Sequence, residues 1–182
     1  MSKKIDKLKL LKPFLEEPHR EFNVREISRL TGLNPTTCSR YLSSLLKEGY
    51  LTRKKERNLI LYSADTESWT YRDFRVYRNI QNIRNSGLVR HIEEELGYPE
   101  AVILFGSYAK GENTMRSDVD LFILSEEKKK LELSSFERKL QAPIQLFIHT
   151  RREVEDMKTR NKELLNNILN GILLSGFFEV FR

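Results

Sequence analysis

Residues 104–124 read LFGSYAKGENTMRSDVDLFIL. Val102 to Phe105 form a compact apolar run that predicts a strand. Gly106 and Ser107 follow at once, ten residues intervene, and Asp118-Val119-Asp120 leads into a second apolar run from Leu121 to Leu124. Successive side chains on a strand alternate between faces. Asp118 and Asp120 therefore share one face, while Val119, Leu121 and Ile123 share the other and bury. Neighbouring carboxylates on one face repel, and a divalent cation relieves that repulsion. Oxygen-only ligands suit Mg²⁺ shared with a nucleoside triphosphate. Gly106 permits close backbone approach, and Ser107 with the amides of a following helix start can hold phosphate oxygens. A phosphate site beside a metal site implies phosphoryl or nucleotidyl chemistry.

These residues resemble the signature of the polymerase-beta-like nucleotidyltransferase superfamily: Gly-Ser, a spacer, then Asp-x-Asp on a strand. The likeness is nearest to the minimal nucleotidyltransferases of prokaryotes. Their Gly-Ser-x-Ala-Arg-Gly start is matched by Gly106, Ser107, Ala109, Lys110 and Gly111, and Ser117 before Asp118 also matches. The resemblance spans residues 98–182. It implies that Asp118 and Asp120 are catalytic and bind Mg²⁺, with Mn²⁺ as a substitute. Gly106, Ser107, Lys110 and Ser117 would bind the NTP, and Arg116 is a weaker candidate. Active members carry a third carboxylate on a neighbouring strand. The candidate strand here is 142–148, and the position expected to be acidic is Gln145. An amide adds no negative charge and cannot act as a general base. Glu137 and His149 are the possible substitutes.

The amino-terminal third has a different character. Ile5, Leu8, Leu11 and Leu15 recur at helical spacing up to a break at Glu16-Glu17-Pro18. In NVREISRLTG (23–32), Asn23 is a candidate cap, Val24, Ile27 and Leu30 the apolar face, and Gly32 a left-handed terminus. Asn34 and Pro35 then stand at the cap and first turn of a third helix running to about Gly49. Its core side is Cys38, Leu42, Leu45 and Leu46. Thr36, Thr37, Ser39, Arg40 and Ser43 remain as short polar or cationic groups on a face suited to a major groove. Two short strands, 50–53 and 59–62, flank a basic tip of Arg53, Lys54, Lys55 and Arg57. Three helices then a hairpin resemble the winged helix-turn-helix regulators of bacteria and archaea. That likeness implies double-stranded DNA as partner, with Thr36, Thr37, Ser39, Arg40 and the four wing cations as contacts.

Charge distribution agrees with this division. The formal net charge is +6, and residues 1–65 hold 14 Lys and Arg against 8 Asp and Glu. The whole excess thus lies in the first third, where a polyanion would dock. The single cysteine, Cys38, cannot close an internal disulfide, and the three histidines are scattered, which excludes a zinc cluster. Lys7, Lys9 and Lys12 interrupt any apolar centre of a signal peptide, and no window is apolar enough for a membrane span. A cytoplasmic setting and no membrane partner are the expectation.

Residues 67–97 carry aromatic and aliphatic side chains at three- and four-residue steps. They predict one long helix or two consecutive ones with a break at 85–87, used for packing between domains or subunits. Residues 151–171 predict one charged helix burying Val154, Met157, Leu164, Leu165, Ile168 and Leu169, and the apolar tail 172–181 closes the domain. The expected fold class is α+β: a winged helix-turn-helix domain at 1–65, a helical connector at 66–97, and a small mixed-sheet nucleotidyltransferase domain at 98–182. The expected function is DNA binding joined to Mg²⁺-dependent transfer of NMP from an NTP to a hydroxyl acceptor on a protein or small molecule. The alternatives are a transcription regulator that binds nucleotide without turnover, and an antitoxin-like modifier of a partner toxin. A homodimer on a palindromic site would make its contacts through the helix of 67–97.

Overall fold

The computed structural model describes residues 7–180. They divide into two compact units, with the chain boundary between Arg75 and Val76.

The first unit contains helix α1 (Lys7–Glu16), strand β1 (Phe22–Asn23), helices α2 (Val24–Thr31) and α3 (Pro35–Lys47), strands β2 (Leu51–Glu56) and β3 (Leu59–Ala64), and the opening turns of α4 (Trp69–Ser86). The local signals act as read. Asn23 Oδ1 accepts from the Glu26 amide, and the Glu26 carboxylate accepts from the Asn23 amide at 2.9 Å, which closes a capping box. Gly32 ends α2 at φ 68°, a conformation open to glycine without strain. Asn34 caps α3 through the Thr37 amide at 2.8 Å.

Three apolar faces are set differently from the sequence expectation. Ile5 lies outside the described residues. In α1 the buried side chains are Leu10, Leu11 and Phe14, while Leu8 is exposed. Phe14 decides this phase by packing edge-on against Phe22, centroids 5.1 Å apart. In α2, Ile27 and Thr31 bury, and Leu30 turns to solvent. Thr31 can bury because its hydroxyl donates to the Ile27 carbonyl at 2.7 Å. In α3, Cys38, Leu42 and Leu45 are buried and Leu46 only half-buried.

The wing is longer than predicted. The antiparallel register runs from Leu51↔Ala64 to Glu56↔Leu59, so Arg53, Lys54 and Lys55 lie within β2 and only Arg57-Asn58 turns. β3 is the central strand, between β1 and β2.

The second unit holds the rest of α4, then α5 (Leu88–Glu95), β4 (Ala101–Phe105), the short α6 (Gly106–Lys110), β5 (Val119–Leu124), α7 (Ser134–Leu140), β6 (Ile144–His149), α8 (Arg151–Arg160), α9 (Lys162–Leu169) and β7 (Ile172–Gly176). Gly87, at φ 85°, separates α4 from α5. The residues read as a connector are shared out. Tyr71 and Phe74 join the core of the first unit, and Ile83, Leu88, Ile92 and Leu96 join that of the second. Trp69 and Tyr77 are exposed.

The mixed sheet has the order β6-β5-β4-β7, with β5 and β6 parallel and the other pairs antiparallel. Both faces are covered. Val102, Leu104, Val119, Leu121 and Ile123 pack on α4 and α5, whereas Ala101, Ile103, Phe105, Phe122 and Leu124 pack on α8 and α9. This two-sided burial explains why the central strands read as unbroken apolar runs.

The charged segment after β6 is two helices, not one. Asn161, at φ −144° and ψ 60°, interrupts it and caps α9 through the Leu164 amide. The break turns Leu169 outward. The tail forms β7 on the sheet edge, and Phe181 lies outside the described residues. Among the described residues, no helix is long and apolar enough to cross a membrane.

Candidate nucleotide and metal site

β4 ends at Phe105, opposite Asp120 on antiparallel β5, and Asp120 is flanked on its other side by Gln145 of parallel β6. Three strands therefore deliver Gly106, the Asp118/Asp120 pair and Gln145 to one end of the sheet. Asp118 directly precedes β5, and the Val119 amide is fixed by the Pro143 carbonyl at 2.8 Å. Val119 is fully buried, whereas Asp118 and Asp120 are partly exposed.

Gly106 is required at its position for two reasons. Its φ is 69°, and a Cβ there would collide with Asp120 Oδ2. Gly106→Ala therefore adds about 1–2 kcal/mol of left-handed strain and also displaces the carboxylate it meets. We expect that variant to melt lower and to lose Mg²⁺-dependent nucleotide binding together, measured by thermal denaturation and by titration with ATP. Normal binding in the variant would show that the glycine serves the backbone alone.

The carboxyl of Asp120 holds its proton above the ordinary aspartate range. Burial is the larger cause, and the negative charge of Asp118 adds to it. Asp118 accepts a hydrogen bond from the Gln145 amide nitrogen. This sequence thus sets a neutral donor against Asp118 where a third carboxylate would add repulsion.

The other candidates are placed as follows. Ser107 is half-buried at the start of α6, and its hydroxyl makes no hydrogen bond among the described residues. Lys110 ends α6, exposed and without an ion-pair partner among the described residues. Ser117 shapes the approach to Asp118, its hydroxyl accepting from the Thr114 amide at 2.9 Å while its own amide donates to the Thr114 carbonyl. Arg116 is exposed in the same turn.

Neither proposed substitute for the third carboxylate serves. Glu137 uses its carboxylate to accept from the Ile144 amide at 3.1 Å, capping the start of β6. His149 lies four residues beyond Gln145, roughly 13 Å along the strand. There it stacks on Phe122 at 5.8 Å between ring centroids, and burial pushes its pKa down. Among the described residues no group of three His, Cys, Asp or Glu side chains could hold a metal ion. Two carboxylates plus the phosphate oxygens of a nucleotide are nevertheless a suitable oxygen set for one Mg²⁺.

Asn79 escaped the sequence reading. From α4 its amide nitrogen donates to the Tyr108 carbonyl at 2.9 Å and to Asn113 Oδ1 at 2.8 Å. Its partners stand 29 and 34 residues away, and no local pattern marks it.

In the first unit, Thr36, Ser39 and Arg40 are exposed on α3 and Thr37 is half-buried. The Arg40 guanidinium lies 5.2 Å from the Tyr41 ring centroid. On β2 the alternation separates the wing cations. Arg53 and Lys55 share the side of Tyr62 and Ile60, whereas Lys54 points the other way with Thr52 and Glu56. Lys54 is already engaged by Glu21 at 2.7 Å and Glu56 at 3.6 Å. Arg57 occupies the turn with φ 52°.

Comparison with known proteins matches these two regions separately. Residues 88–176 match the family described as polymerase beta, nucleotidyltransferase, and residues 8–55 match the IclR helix-turn-helix domain. No curated protein matches the chain. A solved structure described as a "possible transcriptional regulator" from Methanosarcina mazei Go1 shares 24% identity over 50% of this chain and 74% of its own, with a TM-score of 0.32. Overlap that loose carries no weight. The family matches coincide with the segments that hold the Gly106/Asp118/Asp120 group and the capped α2-α3 pair, so residues 88–176 are similar to nucleotidyltransferase domains of the polymerase beta type and residues 8–55 to IclR-type helix-turn-helix domains.

Proposed function

We propose that this protein binds double-stranded DNA through α3 and the wing, and that its second unit transfers NMP from an NTP to a hydroxyl acceptor in a Mg²⁺-dependent reaction. The observation that carries the transfer reading is the convergence of Gly106, Asp118 and Asp120 at one end of the sheet, with Gly106 pressed against the Asp120 carboxylate. Asp118 and Asp120 would hold Mg²⁺, with Mn²⁺ as a substitute. The ion would neutralise phosphate charge and polarise the phosphorus that is attacked. Ser107 and the first amides of α6 would orient the triphosphate, and Lys110 would add positive charge beside it. Asp120 must be deprotonated to serve as a ligand, and its raised pKa makes this step sensitive to acidification. The acceptor hydroxyl would give up its proton to solvent water while its oxygen bonds to the α-phosphorus, the bond to the pyrophosphate oxygen breaks, and pyrophosphate leaves. Positioning and charge compensation supply most of the acceleration. Incubation with α-labelled ATP, Mg²⁺ and cell extract tests this, because the acceptor is among the extract's components. Label transferred by the wild type and lost in both Asp118→Asn and Asp120→Asn supports the enzyme.

A second reading has its own support. The Gln145 amide against Asp118 leaves no general base at the third position, which suits a regulator that binds NTP as an effector without turnover. Mg²⁺-dependent ATP binding with no label transfer selects that reading. A toxin-like protein acceptor would appear in the same assay as a single labelled band.

For DNA, Arg40→Ala should weaken binding and reduce the slope of log K against log salt by about 0.9, one phosphate contact's worth. Lys55→Ala should do the same. Lys54→Ala should do less, since its ion pairs with Glu21 and Glu56 offset part of its charge, although exposed pairs of about 1 kcal/mol or less can yield to a phosphate. Equal affinity and slope in the Arg40 and Lys55 variants would rule out this docking face.

A further inference from the structure

We propose that Asn79 is a positioning residue for the nucleotide site, an inference that rests on the transfer or effector reading of Asp118, Asp120 and Ser107. Asn79 is 8% exposed. A buried amide is costly unless its donors are taken. The Asn79 amide nitrogen spends its hydrogens on two targets, the Tyr108 carbonyl and Asn113 Oδ1. Tyr108 lies inside α6, next to Ser107. Asn113, itself 8% exposed, lies in the segment that runs from α6 to Asp118. One side chain thereby ties the phosphate-facing helix and the loop that delivers the metal-facing carboxylate to a common point.

α6 needs such a tie. It has five residues and no side-chain cap at its start, too short a helix to keep its place by its own hydrogen bonds. Tyr108 and Ala109 rest against the core and restrain it sideways, but apolar contact is non-directional and does not fix how far the helix slides. The directional bond from Asn79 to the Tyr108 carbonyl does, and the second bond, to Asn113 Oδ1, fixes the segment that follows. α4 itself stays docked without them, because Ile80 and Ile83 pack into the same core. The geometry thus assigns Asn79 to the placement of Ser107 and Asp118 and leaves the attachment of its own helix to its neighbours.

The full-length chain and its Asn79→Ala and Asn113→Ala variants are compared by backbone hydrogen exchange and by titration with ATP in the presence of Mg²⁺. In Asn79→Ala, amides of residues 107–117 should exchange at least about tenfold faster while those of β4 and β5 keep their rates. ATP affinity should fall by about tenfold or more, the scale expected when reacting groups shift by a fraction of an ångström. Asn113→Ala, which keeps the Tyr108 bond, should show a smaller change in both. Exchange accelerated equally across β4 and β5 would make Asn79 a general core residue and overturn the inference. Unchanged ATP affinity in Asn79→Ala, with a wild type that binds, would overturn it as well. A wild type that binds no ATP is a different result: it removes the nucleotide-site reading and the inference with it.

Discussion

Asp120→Asn should cut Mg²⁺-dependent label transfer by at least ~10³-fold and, at neutral pH, should raise the thermal midpoint of the metal-free chain. The two effects have one origin. Asp120 is a partly buried carboxylate beside Asp118, and both the burial and the neighbouring charge oppose its ionisation. The folded chain therefore binds this proton more tightly than the unfolded chain does. Between the unfolded pKa near 3.8 and the raised folded value, the native state carries more protons, so stability falls as pH rises through that window and stays reduced above it. Asparagine removes the charge and its penalty, and a gain of about 2 °C is the scale expected for relieving an unfavourable functional group in a chain of this size. Transfer falls by at least ~10³, since the loss of one preorganised electrostatic partner already costs 10²–10³. ATP with Mg²⁺ should raise the wild-type midpoint and leave that of Asp120→Asn unmoved. In the wild type, transfer should decline on acidification at a pH above the ordinary aspartate range, because protonated Asp120 is not a ligand. A variant that keeps transfer, or a wild type that keeps full rate down to pH 4, would remove Asp120 from the chemistry.

What the sequence disclosed and what it withheld follow from the range of the interactions. Asn23, Gly32, Asn34 and Pro35 act on backbone groups three or four residues away, so their roles were legible. The phase of α1 was not. Leu8, Leu10, Leu11, Phe14 and Leu15 offer two overlapping apolar stripes, and the choice is made by Phe22 across the core. Arg53 to Lys55 resembled a turn because both faces of an exposed strand can be polar, and only the pairing with β3 reveals them as strand. Asn161 sits among helix-forming residues and announces nothing until its side chain is seen capping the next helix. At the site, the Gly-Ser and Asp-x-Asp spacing is local and could be read. That Gly106 must lack a Cβ because Asp120 presses on it, and that Asn79 reaches across to Tyr108 and Asn113, are consequences of tertiary placement.

Gln145→Glu separates the two readings of the second unit, and its effect should be large. The substitution preserves the shape of the side chain, removes the amide donor that Asp118 now receives, and places a carboxylate beside Asp118 and Asp120. Without metal, three like charges at one end of the sheet should lower stability by about 0.2–1 kcal/mol, the scale of charges set opposite one another across strands, because Gln145 is exposed and water can replace its amide on Asp118. With Mg²⁺ and ATP that loss should be recovered, because the added charge strengthens cation binding. If the second unit is a transferase slowed by lack of a base, the new carboxylate can accept the acceptor's hydroxyl proton. Label transfer should then rise on the order of 10²-fold, the lower range of general base catalysis. Gln145→Ala is the control: it frees Asp118 without supplying a base, so any gain should stay within a few fold. Tighter Mg²⁺-dependent ATP binding in Gln145→Glu with no rise in transfer would mean that the site lacks an acceptor subsite altogether. The amide at 145 would then belong to a nucleotide sensor, in which quieting the repulsion between Asp118 and Asp120 matters more than turnover.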